Sequence, residues 1–131
     1  MIAVGKTATA TTTVTEKNTA KAVGSGSLDV FATPMMVALM EQAACQCMAD
    51  GLTPGQTSVG TQINVAHTAA SPCGAVITAT AEIVAVEGRK ISFTVAAYDS
   101  TKEDGANEIG KGTHERFIID AERFMSKLEQ R

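Results

Sequence analysis

Hydrophobic positions fall into two distinct patterns along this chain. From Met35 to Met48 they run almost without a break (Met-Met-Val-Ala-Leu-Met-Glu-Gln-Ala-Ala-Cys-Gln-Cys-Met). Residues apolar on nearly every side, rather than on one stripe, predict a helix surrounded by protein. Thr33 suits the N-cap of that helix, Pro34 its first turn, and Asp50-Gly51 its end, giving a helix over about 34–49. Before it, the threonine-rich stretch 7–16 reads as a strand and Gly24-Ser25-Gly26-Ser27 as a loop. After it come four strand-like segments at 58–68, 75–86, 90–99 and 109–120. Gly88 marks a tight turn, residues 100–107 a charged hairpin loop, and 121–131 a short amphipathic helix with Phe124 and Leu128 four apart.

One strand, a long helix and then four consecutive strands predict an α+β fold with an antiparallel sheet, a single domain over residues 1–131. A helix apolar on all sides requires the sheet to curl around it and leaves its uncovered side for a second subunit. That geometry is the hotdog fold, an antiparallel sheet wrapped around one long central helix and dimeric, with a tetramer open as a further step.

Composition narrows the chemistry. Apolar residues make up 44% of the chain and aromatic residues only 4%, so the core must be built from Ala, Val, Ile, Leu and Met. A net charge of −3 with scattered Lys and Arg excludes the cationic track of a nucleic-acid binder. The three cysteines give no disulfide framework and read as small buried thiols in a reducing compartment, and two distant histidines give no metal-ligand spacing. The N-terminal residues do not resemble a signal peptide, and Glu41 leaves the longest apolar run too short to span a bilayer. The expectation is a cytoplasmic protein with no metal, cofactor, nucleic-acid or membrane partner.

Glu41 is the candidate that matters most. A carboxylate inside an apolar helix must be paired, protonated or put to use. In the strand containing Ile63, Val65 and His67, alternation places these three on the helix-facing side, where His67 and Glu41 could pair. Thr33 stands at the start of the buried helix, where free backbone N–H groups can hold an oxyanion. Thr33 and Glu41 are eight residues apart, roughly 12 Å along the axis at 1.5 Å per residue. For both to address one reacting carbon, either side chains bridge the gap or a second subunit contributes, and a site shared across the dimer is the expectation. His114 and Arg116 share one face of the last strand and suit contact with phosphate or pantetheine groups, or a solvent-facing charged strand.

These segments carry a resemblance. Val30-Phe31-Ala32-Thr33-Pro34 through Glu41, Gly60-Thr61 through Val65-Ala66-His67-Thr68-Ala69-Ala70-Ser71-Pro72, Val86-Glu87-Gly88-Arg89, and Glu108-Ile109-Gly110-Lys111-Gly112-Thr113-His114-Glu115-Arg116 resemble, in order and spacing, the fluoroacetyl-CoA thioesterase family. The likeness covers Val30 to about Lys127. It implies that Thr33, Glu41 and His67 occupy catalytic positions and that Gly60 lines the acyl pocket. The expected reaction is hydrolysis of an acyl-CoA to free acid and coenzyme A, with the thioester as substrate and no cofactor. Glu41 would attack or activate water, His67 would move protons, and Thr33 would polarise the thioester. The chain departs from the family before Val30, where Val23-Gly24-Ser25-Gly26-Ser27-Leu28 is short and lacks an aromatic residue. A lid of that kind predicts weak acyl selectivity and a short-chain or small aryl acyl group. The alternative reading is a non-catalytic hotdog that binds an acyl-CoA or another metabolite.

Overall fold

A computed structural model describes residues 1–102 and 106–130. Strand β1 (Thr7–Thr13) is followed by a single helical turn, α1 (Ala20–Val23), and the long helix α2 (Thr33–Met48). Strands β2 (Gln56–His67), β3 (Val76–Glu87), β4 (Lys90–Asp99) and β5 (Asn107–Asp120) follow, and helix α3 (Ala121–Glu129) closes the described chain. All pairings are antiparallel, and the sheet order is β1-β3-β4-β5-β2. The hotdog arrangement expected from the sequence is present: a five-stranded sheet with one long helix against its inner face.

The strand expected at 90–99 is found there, other boundaries moved by up to three residues, and α1 was not foreseen. Thr19 caps that turn and Gly24 ends it at φ 80°. Gly88 adopts φ 64° in the β3–β4 turn, a conformation that costs glycine little and a branched residue much. Of the expected hairpin loop 100–107, Glu103 to Gly105 lie outside the described residues, as does Arg131 of the expected terminal helix.

The core is built from small and flexible side chains, as the scarcity of aromatics required. Met36, Leu39, Met40, Ala43, Ala44, Cys47 and Met48 of α2 pack on Ala79, Ala81, Ile83, Ile91, Phe93, Val95 and Ala97 of the sheet. Alanines on β3 and β4 let the helix approach closely, and methionine fills the irregular gaps between them. The helix lies mainly over β3 and β1. The β5–β2 wing is therefore less covered, and no residue of β2 is fully buried.

Helix α2 keeps an uncovered side, as expected: Ala38, Gln42, Cys45 and Gln46 form an exposed face. One expectation is corrected: the cysteines are not all buried. Each of the three is unlinked, but only Cys47 is enclosed, with its thiol against the Ala81 carbonyl at 3.3 Å, while Cys45 and Cys73 are exposed. Among the described residues, no helix is long and apolar enough to cross a membrane.

Candidate active site

The start of α2 is organised differently from the local expectation. Ala32 is the N-cap and Thr33 the first helical residue, with no side-chain cap. The Ala32 amide donates to the Asn18 carbonyl at 3.0 Å, and the amides of Met35 and Met36 both donate to the Ala32 carbonyl at 3.0 Å. Pro34 has no N–H, so the free donor at this terminus reduces to the amide of Thr33. The Thr33 hydroxyl, released from capping, lies 2.8 Å from His67 Nδ1. His67 Nε2 is buried and has no hydrogen-bond partner among the described residues. Burial pushes the His67 pKa below the usual histidine value, and the Ala69 backbone pushes it partly back. Thr33 and His67 line a cavity of about 250 Å³ with Ala20, Ser25, Phe31 and Ala69.

Glu41 stands elsewhere. The expected Glu41–His67 pair is not formed: Arg116 Nη1 donates to Glu41 Oε2 at 2.9 Å. The carboxylate side chain is 38% exposed, so it sits at the edge of the uncovered helix face rather than in the core. His114 is 2% exposed, stacked on Phe93 with ring centroids 5.8 Å apart, and its Nε2 lies 3.9 Å from the same oxygen of Glu41. Burial, chiefly, pushes the His114 pKa down. Its bond to the Gln62 backbone raises it, Arg116 lowers it further, and Glu41 and Glu115 act upward.

Alternation along β5 does put His114 and Arg116 on one face and Glu115 on the other, where Glu115 meets Lys90 at 4.0 Å. That shared face is the inner one. Both side chains are buried against Glu41 instead of presented to solvent, because the β2–β5 register sets Arg116 opposite Gly60 and His114 opposite Ile63. The register shifts between Gly60 and Gln62, leaving Thr61 as an extra residue. Such a bulge changes which residues face inward. Upstream, the Ser58 hydroxyl meets Arg116; downstream, Ile63, Val65 and His67 take the inner face. Gly60 leaves room for this cluster: a Cβ there would lie 2.5 Å from Glu41 Oε2, 3.2 Å from Arg116 Nη1 and 3.3 Å from His114 Cε1. A second cavity, of about 260 Å³, is lined by Glu41, Gly60, Gln62, Ile63 and His114.

The six candidate residues thus gather into two clusters within one chain, Thr33 with His67 and Glu41 with Gly60, His114 and Arg116. Sequence reasoning missed Ser58, whose hydroxyl and carbonyl both accept from Arg116. The signal for it was Gly60 itself, since a glycine inside a strand often marks a bulge. It also missed a surface cavity of about 300 Å³ between β5 and α3, where Arg89, Arg123 and Lys127 surround Phe117 and Phe124.

A five-stranded antiparallel sheet packed against one long helix is the hotdog architecture of the thioesterase superfamily. Solved structures agree. A solved structure of the fluoroacetyl-CoA thioesterase FlK superposes with a TM-score of 0.90 at 41% identity, covering 100% of this chain and 98% of that one. A thioesterase-superfamily protein from Thermus thermophilus superposes at 0.88 with 25% identity, over 99% of this chain and 93% of that one. The family model for fluoroacetyl-CoA-specific thioesterases matches residues 14–122. The fluoroacetyl-CoA thioesterase of Streptantibioticus cattleyicolor is 50% identical over 103 residues, 79% of this chain and 70% of that protein. The chain belongs to the fluoroacetyl-CoA-specific thioesterase family and is a thioester hydrolase.

Proposed function

We propose that this protein hydrolyses short-chain or small aryl acyl-CoA thioesters to the free acid and coenzyme A, at a site shared by two protomers. The observation that carries this reading is the division of the machinery. Thr33–His67 and Glu41–Arg116 occupy separate cavities, with Thr33 and Glu41 roughly 12 Å apart along one helix. Thr33, the donor that would polarise the carbonyl, stands in one cluster, and Glu41, the carboxylate that would attack it or activate water, stands in the other.

A homodimer through the uncovered wing would bring the partner's Glu41 toward the Thr33–His67 couple of the first chain. The features that support it are the sheet-terminal β2, with no fully buried residue, and the exposed helix face at Ala38, Gln42 and Cys45. An edge strand of twelve residues is ordinarily paired or covered.

In the reaction, the Thr33 hydroxyl and amide polarise the thioester oxygen at the positive end of α2. The Glu41 carboxylate either attacks the carbonyl carbon, giving a mixed anhydride that water then cleaves, or removes a proton from an attacking water. In both routes the C–S bond breaks and coenzyme A leaves as the thiol after gaining a proton. His67, kept neutral by burial, is suited to accept and return protons near pH 7. No cofactor enters the scheme.

The acyl group is placed in the cavity beside Thr33. Its volume, about 250 Å³, lies below the ~300–1,000 Å³ usual for small-molecule sites, which favours a small acyl chain. Ser25 lines it from the short loop Gly24–Ser27, and that loop offers no bulky side chain to exclude water or select among small acyl groups. Fluoroacetyl-CoA belongs in this class without being singled out by it. With Arg116 turned inward, the phosphates of coenzyme A are assigned to Arg89, Arg123 and Lys127, whose cavity also offers two aromatic faces for adenine.

The test is release of free thiol from acetyl-, fluoroacetyl-, propionyl-, butyryl-, phenylacetyl- and benzoyl-CoA. Glu41→Gln and His67→Ala are run beside the parent protein. Turnover is expected to disappear in Glu41→Gln and fall strongly in His67→Ala, with both folds intact. Undiminished turnover in Glu41→Gln removes it from the mechanism. No turnover by the parent, with acyl-CoA still raising the melting temperature, replaces hydrolysis by binding alone.

A further inference from the structure

Arg116 makes more hydrogen bonds than its charge requires, and their distribution is informative. A guanidinium has five N–H donors in a rigid fork and often grips a carboxylate with two of them at once. Here Nε donates to Ser58 Oγ at 2.9 Å and Nη2 to the Ser58 carbonyl at 3.1 Å. Nη1 carries two hydrogens. One reaches Glu41 Oε2 at 2.9 Å, and the other points toward His114 Nε2 at 3.2 Å.

The histidine can accept that hydrogen because its tautomer is fixed from the far side. His114 Nδ1 lies 2.7 Å from the Gln62 carbonyl, which can only accept, so Nδ1 carries the proton and Nε2 is bare. Gln62 is the residue immediately after the bulge, so the irregularity in β2 presents that carbonyl. The stacked Phe93 fixes the ring plane. The charged groups facing His114 are Glu41 from α2 and Arg116 from β5, with Glu115 acting from the opposite face of β5, and burial opposes protonation of the ring. The result is an arginine with both edges of its fork occupied. Glu41 is held through Oε2 alone, and Oε1 makes no hydrogen bond among the described residues.

We propose that Ser58 and His114 are positioning residues that divide the donors of Arg116, so that Glu41 is anchored by one oxygen and keeps the other for the thioester. The inference rests on the reading of Glu41 as the reacting carboxylate. A two-point clamp would satisfy both oxygens, lower their basicity, and leave the group oriented but unreactive. One-point anchoring orients it and leaves one lone-pair set free.

The experiment measures kcat, KM and melting temperature for Ser58→Ala, His114→Leu, His114→Gln and Glu41→Gln on one acyl-CoA. Ser58→Ala frees the outer edge of the fork and is expected to lower kcat about tenfold while KM moves less than about twofold. His114→Leu is expected to act in the same direction. His114→Gln, whose amide oxygen can accept from Nη1, should recover most of that loss. Ser58 is small and half-buried, so its variant is expected to fold even if a His114 variant does not. An inactive Glu41→Gln beside fully active Ser58→Ala and His114→Leu overturns this inference alone. So does a His114→Gln no better than His114→Leu, or loss that only tracks the folded fraction. A fully active Glu41→Gln overturns the reading of Glu41 and this inference with it.

Discussion

Replacing Gly60 by alanine adds one methyl group at the most crowded point of the site, and its effect can be worked from distances. The new Cβ would lie 2.5 Å from Glu41 Oε2, whereas ordinary contact begins at 3.4 Å, so the carboxylate must withdraw by 3.4 − 2.5 = 0.9 Å. Arg116 Nη1 and His114 Cε1, at 3.2 and 3.3 Å, block retreat toward the sheet and push Glu41 outward. Gly60 does not have a positive φ, so alanine introduces no backbone strain, and the displaced group is the end of a flexible side chain. Stability should therefore change by no more than about 1 kcal/mol. A shift of about 1 Å in a reacting group can cost on the order of 100-fold in rate, and that is the expected fall in kcat for Gly60→Ala. The assay is thiol release under saturating acyl-CoA, with a melting curve on the same preparation. Turnover within threefold of the parent would refute the reasoning, as would a loss matched by unfolding. Either result would mean that the position of Glu41 is not set against Gly60.

Other outcomes follow from the same geometry. Ala38→Arg with Cys45→Arg, both on the exposed face of α2, should yield a folded monomer by sedimentation and reduce turnover about 100-fold or more; a fully active monomer would sink the shared site. Arg123→Ala with Lys127→Ala should raise KM roughly thirtyfold, from about 1 kcal/mol per lost phosphate contact, and the difference should shrink in high salt. An unchanged KM would move the phosphates elsewhere. The pKa values of His67 and His114 lie below 6.5 in the folded protein, so the unfolded chain takes up protons first as pH falls. Their contribution to stability is fully present above about pH 7 and declines as pH drops through 6.5 toward the depressed folded values. The urea midpoint should therefore fall between pH 7.5 and 5.5, and a midpoint that rises would contradict the burial of both rings.

The order of elements was legible because the two hydrophobic patterns are so different. A long, nearly unbroken apolar run with helix punctuation reads as a helix packed against protein, and the four strand-like segments after it pair with one another and with the threonine strand. The site was legible as a set of residues but not as a set of partners. Thr33 followed by Pro34 satisfies the local rules for a helix start, yet the cap is Ala32, and the hydroxyl serves a histidine 34 residues away. Glu41 looked for a partner on β2 and finds it 75 residues away on β5. Propensity and alternation describe a residue's neighbourhood on its own element. Neither contains the pairing register, and a single extra residue at Thr61 was enough to change which side chains meet.

That extra residue also separates two parts of one strand. Upstream of Thr61, β2 supports the arginine and its carboxylate; downstream, it carries the histidine that meets Thr33. Deleting Thr61 would turn Ile63, Val65 and His67 to the opposite face together and uncouple His67 from the start of the helix. With the bulge in place, the two ends keep independent phase. If the acyl group occupies the cavity beside Thr33, as proposed, residues around it from Ser25 to Ala69 can be exchanged to accommodate a different acid without altering the anchoring of Glu41. The strand would then behave as a splice between an exchangeable recognition end and a fixed hydrolytic end.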